Sequence, residues 1–109
     1  MTAREPDWTE GVPRIVVSRC LACGSRWYLR RSRCPSCGSP QVDGRVSAGT
    51  GVVAARTVLH HVPAAPFGVC LVELDEGVTV MTRCGPTVRI GSRVSIGFVD
   101  GVPHAAEVR

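Results

Sequence analysis

The sequence CLACGSRWYLRRSRCPSCG, residues 20–38, contains two Cys-x-x-Cys-Gly turns, and these decide how the first part of the chain folds. Each turn brings two thiolates together on one tight loop. The glycine that follows permits the positive φ with which backbone N–H groups point at sulfur. Ten residues separate the two turns, enough for a small hairpin with residues 27–29 as a strand. The spacing therefore predicts a small ribbon built around a metal ion.

Four thiolates on two such turns are the usual ligands of a structural zinc ion. The predicted zinc ligands are Cys20, Cys23, Cys34 and Cys37. A closed four-cysteine site has no open position for water, so this zinc is expected to be structural rather than catalytic. Similar turns hold a single iron in rubredoxin. Rubredoxin separates its turns by a longer segment and is acidic, which makes iron the alternative and zinc the prediction.

The composition of the 109-residue chain indicates a soluble globular protein of one domain or two small units. It has no apolar run long enough for a membrane span, and its first residues do not resemble an export signal. Reduced, metal-binding cysteines are therefore favoured over disulfides, and a cytoplasmic location without membrane association is expected. The remaining two cysteines, Cys70 and Cys84, lie in apolar runs and are interpreted as buried core residues, with a redox pair as the alternative.

The net charge of +4 is concentrated in the cysteine-rich segment. Residues 14–45 contain seven arginines and one acid, whereas residues 46–109 contain five of each. Four arginines lie within or beside the predicted hairpin: Arg26, Arg30, Arg31 and Arg33. Because a guanidinium group suits phosphate and carboxylate recognition, this cluster is a candidate contact for a phosphate or for an acidic patch on a partner. The alternative is a solvated basic surface.

From residue 46 onward the pattern changes to short β-type runs separated by turn residues. The tripeptide at residues 75–77 predicts a hairpin loop, and Asp100-Gly101 predicts a two-residue turn. Five short strands without helical periodicity predict a small OB-like barrel, in which Gly49 and Gly51 allow sharp coiling. Pro103 suggests an edge position for the last strand. The acids of the hairpin loop are expected to be solvated.

The predicted fold class is thus all-β, with a four-cysteine zinc ribbon followed by a five-stranded OB-like barrel. The predicted organisation is an N-terminal extension over residues 1–18, the ribbon over 19–45 and the barrel over 46–109.

From about residue 19 to its end the chain resembles a known family. The motifs that carry the resemblance are RCLACG and CPSCGS in the ribbon, then SAGTGVV, VELDEG and VRIGSRV in the barrel. In this order they are similar to the acyl-CoA-associated family with a rubredoxin-like ribbon and an OB-fold, known as domain of unknown function thirty-five.

The resemblance implies a non-catalytic accessory subunit. Members of this family dock on thiolase-like enzymes, including thiolases, aldolases and acyltransferases, and help to bind or channel acyl-CoA. It implies a hetero-oligomer with a thiolase-fold or sterol-carrier-type partner, and acyl-CoA as a ligand shared with that partner. In this reading Arg26, Arg30, Arg31 and Arg33 would contact CoA or the partner.

Two other classes of function are compatible with parts of the sequence. Zinc ribbons and OB barrels also occur in proteins that bind single-stranded nucleic acid, but such binding needs aromatic stacking platforms. The chain has only five aromatic residues, and the barrel segment carries no net charge. A stand-alone enzyme is disfavoured because no motif supplies an activated nucleophile with a base.

Overall fold

The computed structural model describes residues 6–29, 31–60 and 65–108, and in these ranges the regular secondary structure is almost entirely β. A single 3-10 turn at Trp8–Glu10 precedes the strands. The ribbon contributes β1 (Val16–Cys20), β2 (Arg26–Tyr28) and β3 (Val42–Val46). The barrel contributes β4 (Thr50–Leu59), β5 (Phe67–Leu74), β6 (Thr79–Cys84), β7 (Arg93–Val99) and β8 (Val102–Glu107). The all-β fold class is confirmed.

The ribbon is a three-stranded antiparallel sheet in the order β2-β1-β3. Its central strand, β1, pairs with β2 from Val17 to Arg19 and with β3 along its whole length. β1 begins at Val16, inside the stretch assigned to the N-terminal extension, and β3 ends at Val46. The division of the chain into three segments stays a prediction.

The barrel is closed, with the strand order β4-β5-β6-β8-β7, and all its pairings are antiparallel except β6 with β8. The predicted turns are found where expected, because Gly77 has φ 85 after β5, and Asp100 and Gly101 have φ 51 and 76 between β7 and β8. Strand alternation directs Val53, Val72 and other small apolar residues inward to form the core. A register shift between Val53 and Ala55 bends the long strand β4.

The predicted edge position for the last strand is wrong. β8 lies between β6 and β7 in the closed barrel. Its pairing with β6 is confined to His104 and Ala105, so the missing N–H of Pro103 interrupts none of these pairs. Proline is excluded only where its missing N–H would have to donate to the neighbouring strand. Pro103 lies one residue before His104, the first residue of β8 that pairs with β6.

The ribbon and the barrel share one core. Ile15 and Val17, from the ribbon side, belong to the same buried cluster as the barrel interior, and Trp8 and Tyr28 pack against it. The Trp8 indole N–H donates to the Tyr28 hydroxyl at 2.7 Å, which fixes the 3-10 turn against β2. Over the described ranges the structure contains no helix long and apolar enough to cross a membrane.

Candidate metal centre and binding surfaces

The four cysteines of the two turns converge at the tip of the ribbon. The sulfur atoms of Cys20, Cys23, Cys34 and Cys37 all lie within 4.8 Å of one another. The Cys20–Cys37 and Cys23–Cys34 sulfur pairs are each 3.6 Å apart. Sulfurs bound to a tetrahedral zinc at ~2.3 Å stand about 3.8 Å apart, so the arrangement fits this ion closely.

The backbone around the sulfurs is arranged to stabilise thiolates. The N–H groups of Cys23 and Cys37 each point at the first sulfur of their own turn at 3.4 Å, and the N–H of Ser36 points at Cys34 Sγ at 3.3 Å. Gly24 and Gly38 adopt the expected positive φ, 80 and 77. Hydrogen bonds from the side chain and backbone of Ser25 lower the pKa of the Cys23 thiol to about 6. The pKa of Cys37 is raised to about 12, because the contact with Cys20 and burial outweigh a backbone hydrogen bond from Ser39. Such donors orient and tune metal-bound thiolates.

A small apolar cluster supports the metal centre from one side. Cys20 and Cys34 are buried with Trp27, and Val42 packs against them. No further residue with a metal-binding group joins the four cysteines among the described residues. The arrangement is therefore a closed site, suited to holding the ribbon together.

The four candidate arginines of the ribbon do not act as one group. Arg26 donates to the backbone carbonyl of Glu76 in the barrel at 3.1 Å, whereas Arg33 donates to the carbonyl of Gly38 in the second metal turn at 3.2 Å. Arg31 is exposed, and Arg30 lies outside the described residues. Their assignment as CoA or partner contacts stays a prediction.

Sequence reasoning missed two further arginines that lie close to Arg26. Arg19 on β1 and Arg45 on β3 line a cleft with it between the ribbon sheet and the β5–β6 hairpin. The sequence shows that Val17 and Arg19 are two residues apart, so they would share one face of a strand. Which residues of β2 and β3 lie opposite them depends on the register of the sheet.

The second surface feature is an apolar patch on the outside of the barrel, called here the outer apolar face. It is formed by Leu59, Phe67, Leu71 and Met81 around the buried Val69. Leu71 and Met81 are cross-strand partners on β5 and β6, and their side chains are 42% and 61% exposed. The guanidinium of Arg83 covers the Phe67 ring at 4.4 Å from its centroid. Beside this face lies an open groove of about 210 Å³ whose walls are almost wholly apolar.

The two remaining cysteines lie in the barrel core, as expected. Cys70 and Cys84 are buried and unpaired as thiols. Burial raises the pKa of Cys70 to about 12, with the neighbouring Cys84 as a further cause. A thiol held in its neutral form is a poor nucleophile, so Cys70 has the character of a packing residue.

Comparison with known proteins finds matches to two adjacent parts of the chain. A family model for the rubredoxin-like zinc ribbon domain of ChsH2 matches residues 10–43, and a model for the C-terminal OB-fold domain of ChsH2 matches residues 44–99. A DUF35 domain-containing scaffold protein of Methanothermobacter thermautotrophicus is 30% identical over 91 residues, covering 74% of this chain and 68% of the relative.

A probable enoyl-CoA hydratase alpha subunit of Thermomonospora curvata is 35% identical over 99 residues. The match covers 84% of this chain, but the chain spans only 31% of the length of that relative.

Two solved structures share the fold. A chain of the Ltp2-ChsH2(DUF35) aldolase superposes with a TM-score of 0.74 at 33% identity, covering 86% of this chain and 84% of that one. A DUF35 protein of unknown function from Sulfolobus solfataricus superposes with a TM-score of 0.66 at 17% identity, covering 87% and 76%. With both halves of the chain matched in order, this protein belongs to the ChsH2/DUF35 family of zinc-ribbon and OB-fold proteins.

Proposed function

We propose that this protein is a non-catalytic accessory subunit that docks on a thiolase-like enzyme and helps it to bind or channel acyl-CoA. The observation that carries the proposal is the similarity, at 33% identity and over most of both chains, to a chain of the Ltp2-ChsH2(DUF35) aldolase. The archaeal relatives named as scaffold proteins support a role in assembly. A cytoplasmic location is part of the same proposal.

The chemistry of the described residues supports a role without catalysis. The four ribbon cysteines form a closed set, which as zinc ligands would leave no position for a substrate. The core thiol of Cys70 is held neutral by burial. In this proposal Cys20, Cys23, Cys34 and Cys37 hold one structural zinc ion, which supplies rigidity to the ribbon.

The outer apolar face is the surface we assign to the partner enzyme. Leu71 and Met81 stand side by side on a regular sheet, so they offer a preformed apolar centre. Arg83 lies at its border and covers Phe67. An apolar centre with a polar or charged rim is the usual anatomy of a stable interface.

The proposal is tested by co-expression with a thiolase-like protein encoded beside it. The two proteins should co-purify, and the complex should turn over acyl-CoA faster than the partner alone. The variant Met81→Glu places a charge in the apolar centre and should weaken the complex by at least about tenfold. Ile90→Glu is the matched control, because Ile90 is 67% exposed and lies in the segment between β6 and β7.

Two results separate the parts of this proposal. Failure of the wild-type proteins to co-purify, with acyl-CoA turnover unchanged, contradicts the accessory role. Equal binding by wild type, Met81→Glu and Ile90→Glu contradicts only the assignment of the outer apolar face. Both variants must retain the melting temperature of the wild type for the comparison to hold.

The alternative of single-stranded nucleic-acid binding receives no support from the aromatic residues. All five are buried or partly buried, and Trp8 and Tyr28 are hydrogen-bonded to each other. Phe67 is covered by Arg83 and Phe98 packs against the core, so neither is an open stacking platform. Salt-dependent binding of an oligonucleotide would nevertheless favour this alternative over the accessory role.

A further inference from the structure

A cleft of about 130 Å³ lies where the ribbon sheet meets the β5–β6 hairpin of the barrel. Three arginines line it, one from each ribbon strand: Arg26 from β2, Arg19 from β1 and Arg45 from β3. Val17, Val46 and Glu76 complete its walls. The volume is far above the roughly 10–15 Å³ that a single water needs.

The register of the ribbon sheet places the three arginines on one face. Arg19 is directly opposite Arg26 on one side, and Val17, two residues earlier, is directly opposite Arg45 on the other. Residues that are paired, or two apart on one strand, share a face of the sheet. Like charges directly opposite each other destabilise a sheet. Asp43, which is opposite Arg19 on β3, offsets part of this cost for the Arg19–Arg26 pair, and a bound anion would offset more of it.

The acids near the cleft do not balance these charges. Asp43 pairs with Arg19 through a single contact of 3.3 Å to Nη2. The Glu76 carboxylate accepts from the Ser47 hydroxyl and the Ala48 N–H, whereas Arg26 contacts only the backbone carbonyl of Glu76. Three arginines and two carboxylates leave an excess of one positive charge.

Hydrogen-bond donors are also left over. The Nε of Arg19 is buried and has no acceptor in the structure. The guanidinium of Arg45 makes no hydrogen bond or ion pair to a described residue. Because a buried donor without a partner destabilises the fold, such a group calls for a water, an ion or a polar ligand as its acceptor.

We propose that this cleft binds one phosphate group, with Arg19, Arg26 and Arg45 as its ligands. A phosphate group presents several acceptor oxygens and up to two negative charges, which matches several guanidinium donors on one rigid sheet. The metal turns and the shared core hold that sheet in place, so little ordering is needed on binding. The phosphate is either free or carried by a nucleotide-like small molecule.

For a nucleotide-borne phosphate, the proposal rests on the acyl-CoA-binding part of the proposed function. It is separate from docking, because the cleft is formed by the ribbon and the hairpin rather than by the outer apolar face. Phosphate binding can therefore fail while the complex with a partner enzyme forms, or the reverse. The two sets of variants share no residue.

The test uses the zinc-loaded full chain and three probes: inorganic phosphate, pyrophosphate and adenosine 3′,5′-bisphosphate. Binding is followed by calorimetry and by NMR of the arginine Nε–H groups at constant ionic strength. We expect saturable binding of one probe molecule per chain and a shift of the Arg19 Nε–H resonance. Arg45→Gln, at an exposed position, should weaken binding by about tenfold without lowering the melting temperature. Arg89→Gln removes the same charge from the barrel and should leave binding unchanged.

The outcomes discriminate clearly. Tighter binding of the bisphosphate than of pyrophosphate supports the site and identifies the ligand as nucleotide-borne, whereas equal binding supports a site for phosphate alone. Binding that does not saturate, or that Arg89→Gln weakens as much as Arg45→Gln, overturns the proposal. Loss of binding in Arg31→Gln but not in Arg45→Gln overturns it too, because the anion would then lie elsewhere on the ribbon. If Arg45→Gln proves unstable, Arg19→Gln with the Arg26 Nε–H shift as readout serves as the second variant.

Discussion

The carboxylate of Glu76, in the β5–β6 hairpin of the barrel, accepts a hydrogen bond from the hydroxyl of Ser47 at 2.9 Å. Its other oxygen accepts from the N–H of Ala48 at 3.0 Å, and the carbonyl of the same residue accepts from Arg26 at 3.1 Å. Ser47 and Ala48 form the connection between β3 and β4. One hairpin residue therefore holds both a ribbon strand and the segment that leads from ribbon to barrel.

Replacing Glu76 by alanine should destabilise the protein by about 1–2 kcal/mol, because two hydrogen bonds to a carboxylate are lost at a partly exposed site. We expect the melting temperature to fall by about 5–10 °C. The control is Glu73→Ala, since Glu73 is exposed on the neighbouring strand β5. Chemical denaturation of both variants measures the difference. An equal loss of stability in the two variants would contradict the role of Glu76 in joining the ribbon to the barrel.

The adjacent Asp75 should give the protein an acid-sensitive component of stability. Hydrogen bonds from Arg93 and Thr50 lower the pKa of Asp75 to about 2, and Arg93 binds both carboxylate oxygens. An unfolded Asp has a pKa near about 3.9. The contribution of the ionised Asp75 to the free energy of unfolding is therefore complete above about pH 4. It is lost as the pH falls toward 2.

Asp75→Asn should thus be less stable than the wild type at pH 7, and the two should converge near pH 2. Comparing the two proteins at each pH removes the effect of zinc release, which both undergo. Asp100→Asn is the control, because Asn tolerates the positive φ of that turn position. A stability difference for Asp75→Asn that does not change with pH would exclude this ion pair as its source.

The Asp75-Glu76 pair also shows where sequence reasoning ends. The turn at residues 75–77 and the left-handed Gly77 were predicted from local sequence, as was the convergence of four cysteines on two turns. The acids of the same turn were expected to be solvated, but both bind residues 18 to 29 positions away. The arginine cleft was missed for the same reason. Local rules fix a turn, whereas the pairing of distant strands decides which side chains meet.

Zinc removal should unfold the ribbon and weaken the whole protein. Among the described residues, the cluster around the cysteines contains one large side chain, Trp27, so the metal must supply much of the local stability. Because Ile15 and Val17 connect the ribbon to the barrel core, unfolding of the ribbon should lower the melting temperature of the whole protein by on the order of 10 °C or more.

The measurement combines zinc content with thermal unfolding, before and after treatment with a chelator. Cys23→Ser should lose the single bound zinc. Cys84→Ala is the control, since it removes a core thiol but should retain one zinc per chain. A chelated protein that melts at the same temperature as the zinc-loaded protein would show that the metal is not structural.

A close backbone approach between two barrel strands should make Gly51 intolerant of any side chain. A Cβ at this position would lie 2.3 Å from the carbonyl oxygen of Glu73 and 2.9 Å from the Cα of Leu74, both in the paired strand β5. These are backbone atoms that cannot move without separating β4 from β5. Gly51→Ala should therefore destabilise the protein by about 2–3 kcal/mol, measured by chemical denaturation.

Gly97→Ala is the matched control, because a Cβ there meets nothing within 4 Å. It should be neutral or stabilise by up to about 1 kcal/mol, since alanine restricts the unfolded chain. If Gly51→Ala matched Gly97→Ala in stability, the two strands would have to be further apart than they are in this barrel.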